Sequence, residues 1–317
     1  MGTCQYGVYL RGLMFLTIVT GGCAASTTEL VRTIPAELSP QATFAVSPTA
    51  LQRPPSTLIP TPTPTPTEAA FPSPIDGMPL IEVPAGEFVM GLDADDPWAE
   101  PDEQPRHILY LPRYWIDAIP VSVGMFASFL NAQDVGQDES LRFYLGSDDV
   151  SPLNPIYHDG TWVVPEGQID GWPNPEVHSA AEQPVTRVTW FGAVAYCQWA
   201  ARRLPTEAEW EKAVRGVGGP IYPWGAERYA CKNALCASPF GVRRFFWNWE
   251  WTSSLAMPYP YDPNDGREDQ AAVGARIIRG GSWDYEAGEL SAASRRWDYP
   301  EYGRAMQGFR CATDAPF

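Results

Sequence analysis

Cationic side chains are scarce in this sequence. Its 317 residues hold 22 Lys and Arg against 38 Asp and Glu, a formal net charge of −16. Nucleic-acid binding needs a basic footprint, so that class of partner is excluded. Histidine is scarcer still. His107, His158 and His178 are the full set, and no two stand at a metal-ligand spacing. That argues against a histidine-built metal centre. Long apolar runs are missing too: Gly12 to Thr20 is too short to cross a bilayer stably. Charged residues make up only 19% of the chain, whereas it holds 13 Trp, 14 Tyr and 13 Phe. Such a balance suits a loop-rich fold packed by large rings, not a helical bundle.

Residues 1–23 read as an export signal. Arg11 precedes the apolar run, which ends at Gly21, Gly22 and Cys23. Small residues before a cysteine resemble the bacterial lipobox, in which that cysteine is acylated and becomes the mature N-terminus. Residues 24–76 read as a linker rich in Pro, Thr, Ser and Ala, with alternating proline from Pro60 to Pro66. It lacks the apolar surface to fold and favours extended polyproline II. A stalk fits a protein anchored at one end. The expected location is therefore the outer side of a bacterial cell membrane, held by a lipid on Cys23.

Residues 77–317 are expected to form one domain. Glu87 to Met90, His107 to Leu111 and Tyr114 to Asp117 read as strands. Asp93 to Gln104 between them is an acidic loop, read as solvated. Ser122 caps a helix with Val123, Phe126, Phe129 and Leu130 on one face. A second helix is expected from Trp190 to Arg202, capped by Thr189, with Val194, Cys197 and Ala201 along its buried stripe. Thr206 and Glu209 form a capping box for a third, which Gly216 ends. Both later helices read as scaffold without chemistry.

The most distinctive stretch runs from Ile277 to Cys311. It opens as a strand, passes Gly280 and Gly281, and closes with Gly308, Phe309, Arg310 and Cys311. A polar and aromatic excursion lies between those ends, the kind of segment in which sites are held out by a scaffold. Its candidate ligand-binding residues are Trp283, Asp284, Glu286, Arg295, Trp297, Asp298 and Tyr299.

RGGSW followed by GFRC resembles the end of the formylglycine-generating enzymes, the sulfatase-modifying factor family. PAGEFVMG (84–91), PVTRVTW through EKAVRG (184–216), YPWG (222–225) and WEWTSS (249–254) resemble its earlier blocks. The resemblance spans roughly residues 78 to 315. It implies an α+β, loop-rich, divergent C-type-lectin-like domain with few short helices and small twisted sheets. The activity it implies is copper-dependent oxidation of a sulfatase cysteine to formylglycine. That chemistry takes two thiolates, because Cu(I) prefers soft sulfur ligands. Counting back from GFRC without gaps puts the family's cysteine pair at Ala287 and Ala292, so copper is not expected. The resemblance also implies structural calcium. One site falls on Asn233 and Ala234. At the other, large rings at Phe246 and Trp247 replace the family's Gly-Asn. Where the family has acidic residues in the first turn of the second helix, this chain has Phe191 and Gly192.

Cysteines of an exported protein tend to oxidise in pairs. Cys231 and Cys236 flank a short loop, which leaves Cys197 for Cys311, and the family joins these two places. The residues leave three functional readings. One is a non-catalytic binding or structural module for a peptide, protein or glycan. The second is the family oxidase. The third is a sulfoxide synthase, which builds an iron site with histidines of an additional helical domain.

Overall fold

In the computed structural model the described residues are 71–97, 99–136, 143–146, 154–165, 179–217, 222, 242–243, 248–281 and 291–317. The chain divides into two units, Met1–Ser56 and Thr57–Phe317, and all the described residues lie in the second.

Short polar caps start the three helices among these residues. Helix α1, Val123–Ala132, begins at Ser122, whose hydroxyl accepts the Met125 amide at 3.3 Å. It buries Val123, Phe126, Ala127, Phe129 and Leu130. Helix α2, Trp190–Trp199, begins at Thr189, which accepts the Gly192 amide at 3.0 Å. Helix α3, Glu207–Arg215, has the full capping box. The Thr206 hydroxyl takes the Glu209 amide at 3.1 Å and Glu209 reaches back to the Thr206 amide at 2.8 Å. Gly216 stops it with φ at 80°, a conformation that glycine adopts without strain.

Two expectations for α2 change. The helix ends at Trp199, and Ala201 beyond it is exposed with φ at 55°. Its buried stripe is Ala193, Tyr196, Cys197 and Ala200, with Val194 only half-buried. Gly192 also has a steric reason. A Cβ there would sit 2.4 Å from the Tyr144 carbonyl oxygen and 2.9 Å from its Cα. Close backbone packing claims this position before dipole complementarity can.

Two four-stranded sheets carry the fold. Strands β1 (Phe71–Pro72), β2 (Pro79–Val83), β5 (Tyr114–Asp117) and β12 (Ala312–Thr313) pair in that order, all antiparallel. β1 falls inside the stretch expected as linker. The second sheet has the order β10 (Arg295–Asp298), β9 (Arg276–Gly280), β8 (Trp249–Leu255), β11 (Gln307–Phe309). Its β11 runs parallel to β8, with Gln307 opposite Trp249. Hairpins β3–β4 (Gly86–Met90, His107–Leu111) and β6–β7 (Ile156–His158, Thr161–Val163) complete the described strands. Few short helices, small sheets and long connections make this the loop-rich α+β architecture expected from the sequence.

The largest apolar cluster lies between α1, α2 and the ends of β8 and β11. Phe126, Phe129, Tyr196 and Phe309 meet there, with ring centroids 5.3–6.1 Å apart. Each fully buried ring contributes roughly 1.5–3 kcal/mol. The disulfide Cys197–Cys311 lies in the same cluster and ties α2 to the second residue after β11, a separation of 114 residues.

Helix α3 is buried all round, its charged face included. Glu207, Glu211, Lys212 and Arg215 are at most 3% exposed. Glu207 accepts from Arg295 Nε and Nη2 at 2.7 and 3.0 Å, and from the Tyr259 hydroxyl at 3.1 Å. Glu211 accepts from the Gly91 amide and Arg215, and pairs with Arg279 of β9. Glu250 of β8 takes Arg310 Nε and Nη2 at 2.5 and 2.7 Å, and Trp210 Nε1 at 2.8 Å. The charged residues of the RGGSW, GFRC and WEWT motifs are therefore interior ion pairs.

The acidic loop is not wholly solvated either. Asp93 pairs with Arg106 at the surface, but Glu103 turns inward and is 4% exposed. Burial pushes its carboxyl up to about 7, from an ordinary 4.5. Between those values the folded chain holds a proton that the unfolded chain has released, so this group's contribution to stability falls as pH rises from 4.5 to about 7 and is level above. Glu103→Gln is expected to match the parent at pH 5. At pH 8 it should be more stable, by at most about 3 kcal/mol. Urea unfolding of both proteins at the two pH values checks this. An unchanged difference between them would refute it.

Candidate functional site

The C-terminal excursion forms one wall of an open groove of about 670 Å³. β10 is an edge strand of the second sheet, with Arg296 opposite Ile278 and Asp298 opposite Arg276. After it the chain turns back to β11. The turn is fixed by Asp298 accepting the Tyr299 amide at 2.9 Å and by the Tyr302 amide reaching Tyr299 O at 3.0 Å. At its far end Gln307 Oε1 accepts the Arg304 amide at 3.1 Å. Two glycines let this turn lie flat on the scaffold. A Cβ on Gly303 would sit 2.1 Å from Arg187 O, and one on Gly146 would sit 2.2 Å from Gly303 N.

Aromatic rings and guanidinium groups dominate the lining. Trp297 is 56% and Tyr302 45% exposed. Arg296 lies over Trp249 at 5.3 Å from the ring centroid, and Arg304 over Tyr302 at 5.1 Å. Cation–π contact of this kind attracts a guanidinium to the face of its ring. Asp298 accepts from Arg304 Nε at 2.5 Å and Nη2 at 3.1 Å, and its hydrogen bonding keeps the Arg304 guanidinium more basic than an ordinary arginine. The arrangement suits recognition: it offers ring faces and donors, with its carboxylate already engaged.

Of the expected site residues, Trp297 and Asp298 line this groove. Tyr299 stands beside it, exposed, with its ring 5.9 Å from Trp297 and 6.1 Å from Tyr302. Arg295 turns the other way, is 7% exposed, and pairs with Glu207 in the interior. It is a scaffold residue because a buried carboxylate needs it there. Trp283, Asp284, Glu286 and Ala287 lie outside the described residues, as do Cys23, Cys231, Cys236, Asn233 and Ala234. The sequence reading missed Trp249, Tyr302, Arg304 and Gln307. An Asp six residues before an Arg across a turn was the available signal for Arg304. Gln307 sits on a buried strand with no sequence signal of its own.

Among the described residues no free thiol pair is present for copper. Cys197 and Cys311 are joined, and the sequence has no cysteine between Cys236 and Cys311. Ala292 is fully buried in the cluster of Tyr114, Ile116, Trp210 and Ala213. His107 has both ring nitrogens occupied: Nδ1 lies 2.7 Å from Pro105 O and Nε2 accepts the Tyr261 amide at 3.0 Å. Among the described residues no group of three His, Cys, Asp or Glu is placed to hold a metal ion.

The profile of the sulfatase-modifying factor enzyme 1-like domain matches residues 67–315. The chain is 29% identical over 281 residues to the formylglycine-generating enzyme of Streptomyces coelicolor, covering 74% of this chain and 89% of that one. It is 31% identical over 268 residues to the hercynine oxygenase of Mycolicibacterium smegmatis, covering 73% of this chain but 60% of that longer protein. A mouse relative, inactive C-alpha-formylglycine-generating enzyme 2, is 29% identical over 284 residues, covering 74% of this chain and 86% of its own length. Among solved structures, PvdO from Pseudomonas aeruginosa superposes with a TM-score of 0.53 at 21% identity, over 78% of this chain and 98% of that one.

Proposed function

The chain belongs to the sulfatase-modifying factor family, and from that premise we propose that it is a non-catalytic binding module displayed outside the cytoplasm. One observation carries this reading. The family oxidase needs a thiolate pair, and no cysteine stands anywhere between Cys236 and Cys311 in any register of the alignment. The groove walled by Trp297, Tyr302 and Arg304 remains, and it offers a ligand surface without a redox centre. Relatives of both kinds exist, since one is named an inactive enzyme and others are named as oxygenases or formylglycine-generating enzymes.

The anchor belongs to the same proposal. The apolar run before Cys23 and the proline-rich stalk after it support acylation of that cysteine. Replacing Cys23 with serine is expected to move the protein out of the membrane fraction of expressing cells. A Cys23→Ser variant that sediments with membranes as the parent does would refute the lipid anchor and leave the apolar run as the tether.

A further inference from the structure

Among the described lining residues the charged groups are Arg187, Arg296 and Arg304 against Asp298. Both oxygens of Asp298 accept from Arg304, and one also accepts the Tyr299 amide. That leaves the Nη1 edge of Arg304, whose side chain is 65% exposed, as a donor held in place from behind. Gln307 is 2% exposed and lines the same groove. Its Oε1 accepts the Arg304 amide, which settles the orientation of the side-chain amide. The Nε2 at its other end is buried and has no acceptor among the described residues. Buried amide donors are nearly always satisfied, and a ligand in the groove could supply the acceptor this one lacks.

These donors stand out against a chain of net charge −16, whose overall field repels anions. A locally cationic groove is of use there only if the ligand is anionic. Trp249, Trp297, Tyr302 and Ile278 supply the apolar part of the lining, beside the guanidinium groups of Arg187 and Arg296. The volume, about 670 Å³, is that of a small-molecule site or one or two peptide residues.

We propose that the groove recognises a carboxylate carried on a flat apolar body, with Arg304 and Gln307 holding the carboxylate and Trp297 and Tyr302 flanking the ring. A free aromatic acid and the C-terminus of a peptide ending in an aromatic residue share this chemistry. The inference rests on the groove being a ligand site, and adds what the ligand must carry.

The test is calorimetric titration of the full chain with four probes. These are indole-3-acetate, indole-3-acetamide, and a pentapeptide ending in tryptophan as the acid and as the amide. At least one acid should bind about tenfold or more tightly than its amide, the usual gain of a charge-assisted hydrogen bond. Binding of both acids identifies a free acid as sufficient; binding of the peptide acid alone identifies a chain terminus. Arg304→Gln should abolish the acid preference, read as the ratio of acid to amide affinity. Trp297→Ala, at an exposed position, should weaken acid and amide alike. Equal affinity for acid and amide, no binding of either acid, or an acid preference that survives Arg304→Gln would overturn the proposal. Each of those results leaves the non-catalytic reading standing, because it is decided by turnover of a sulfatase-type peptide.

Discussion

Replacing Arg279 with methionine is expected to lower the unfolding free energy by about 3–5 kcal/mol, the cost of leaving a buried charge unpaired. The side chain is fully buried. It pairs with Glu211, lies 3.5 Å from Glu207, and donates to the carbonyls of Ala292 and Ala293 at 2.9 and 2.7 Å. Methionine fills much of the volume but supplies no donor. Glu211 would keep Arg215 and the Gly91 amide, and Glu207 would keep Arg295, so the carboxylates would remain ionised with too few cations. Two backbone carbonyls would lose partners as well. Arg113, 60% exposed and 3.8 Å from Glu82, is the control, because an exposed ion pair contributes below about 1 kcal/mol. Denaturant unfolding of both variants makes the comparison. A loss below about 1 kcal/mol for Arg279→Met would mean that water reaches this network.

The second large effect is that of the disulfide. The double variant Cys197→Ala, Cys311→Ala is expected to lose about 5 kcal/mol, the chain-entropy value for a closed loop of this length. The bridged residues are 114 apart. The bond joins α2 to the junction between the two sheets, since β11 ends at Phe309 and β12 begins at Ala312. The Cys311 amide also donates to buried Asp117 at 2.8 Å, so loosening this point disturbs a second interior group. Unfolding curves of parent and variant, and of the parent with reductant, measure the effect. A parent indifferent to reductant, with a variant within about 1 kcal/mol of it, would contradict the bridge's role.

Local rules made much of this fold legible. Ser122, Thr189 and Thr206 announce helix starts because a side-chain oxygen can reach an amide only two or three residues on. The strands at Glu87, His107 and Tyr114 show in their composition. What stayed hidden depends on partners far along the chain. Glu207 and Glu211 look like a solvated helix face until Arg279 and Arg295 arrive from 68 and 88 residues away. Sheet order was equally hidden, because β12 closes a sheet begun by β1 and β2. The site divides the same way. Trp297 and Asp298 were readable as a polar and aromatic excursion. Nothing local tells Arg295, turned inward to a carboxylate, from Arg296, turned outward over Trp249.

The central claim is that this family member has a ligand groove and no thiol-copper oxidase chemistry. It is tested most directly by incubating the purified chain with Cu(I), oxygen and a Cys-x-Pro-x-Arg peptide, and following the peptide by mass spectrometry. The same assay is run on a Cys231→Ser, Cys236→Ser variant, which removes the two domain cysteines outside the Cys197–Cys311 bridge. The predicted result is a peptide whose cysteine is never converted to the aldehyde by either protein. Copper-dependent aldehyde formation by the parent, and above all by the variant, would contradict the account.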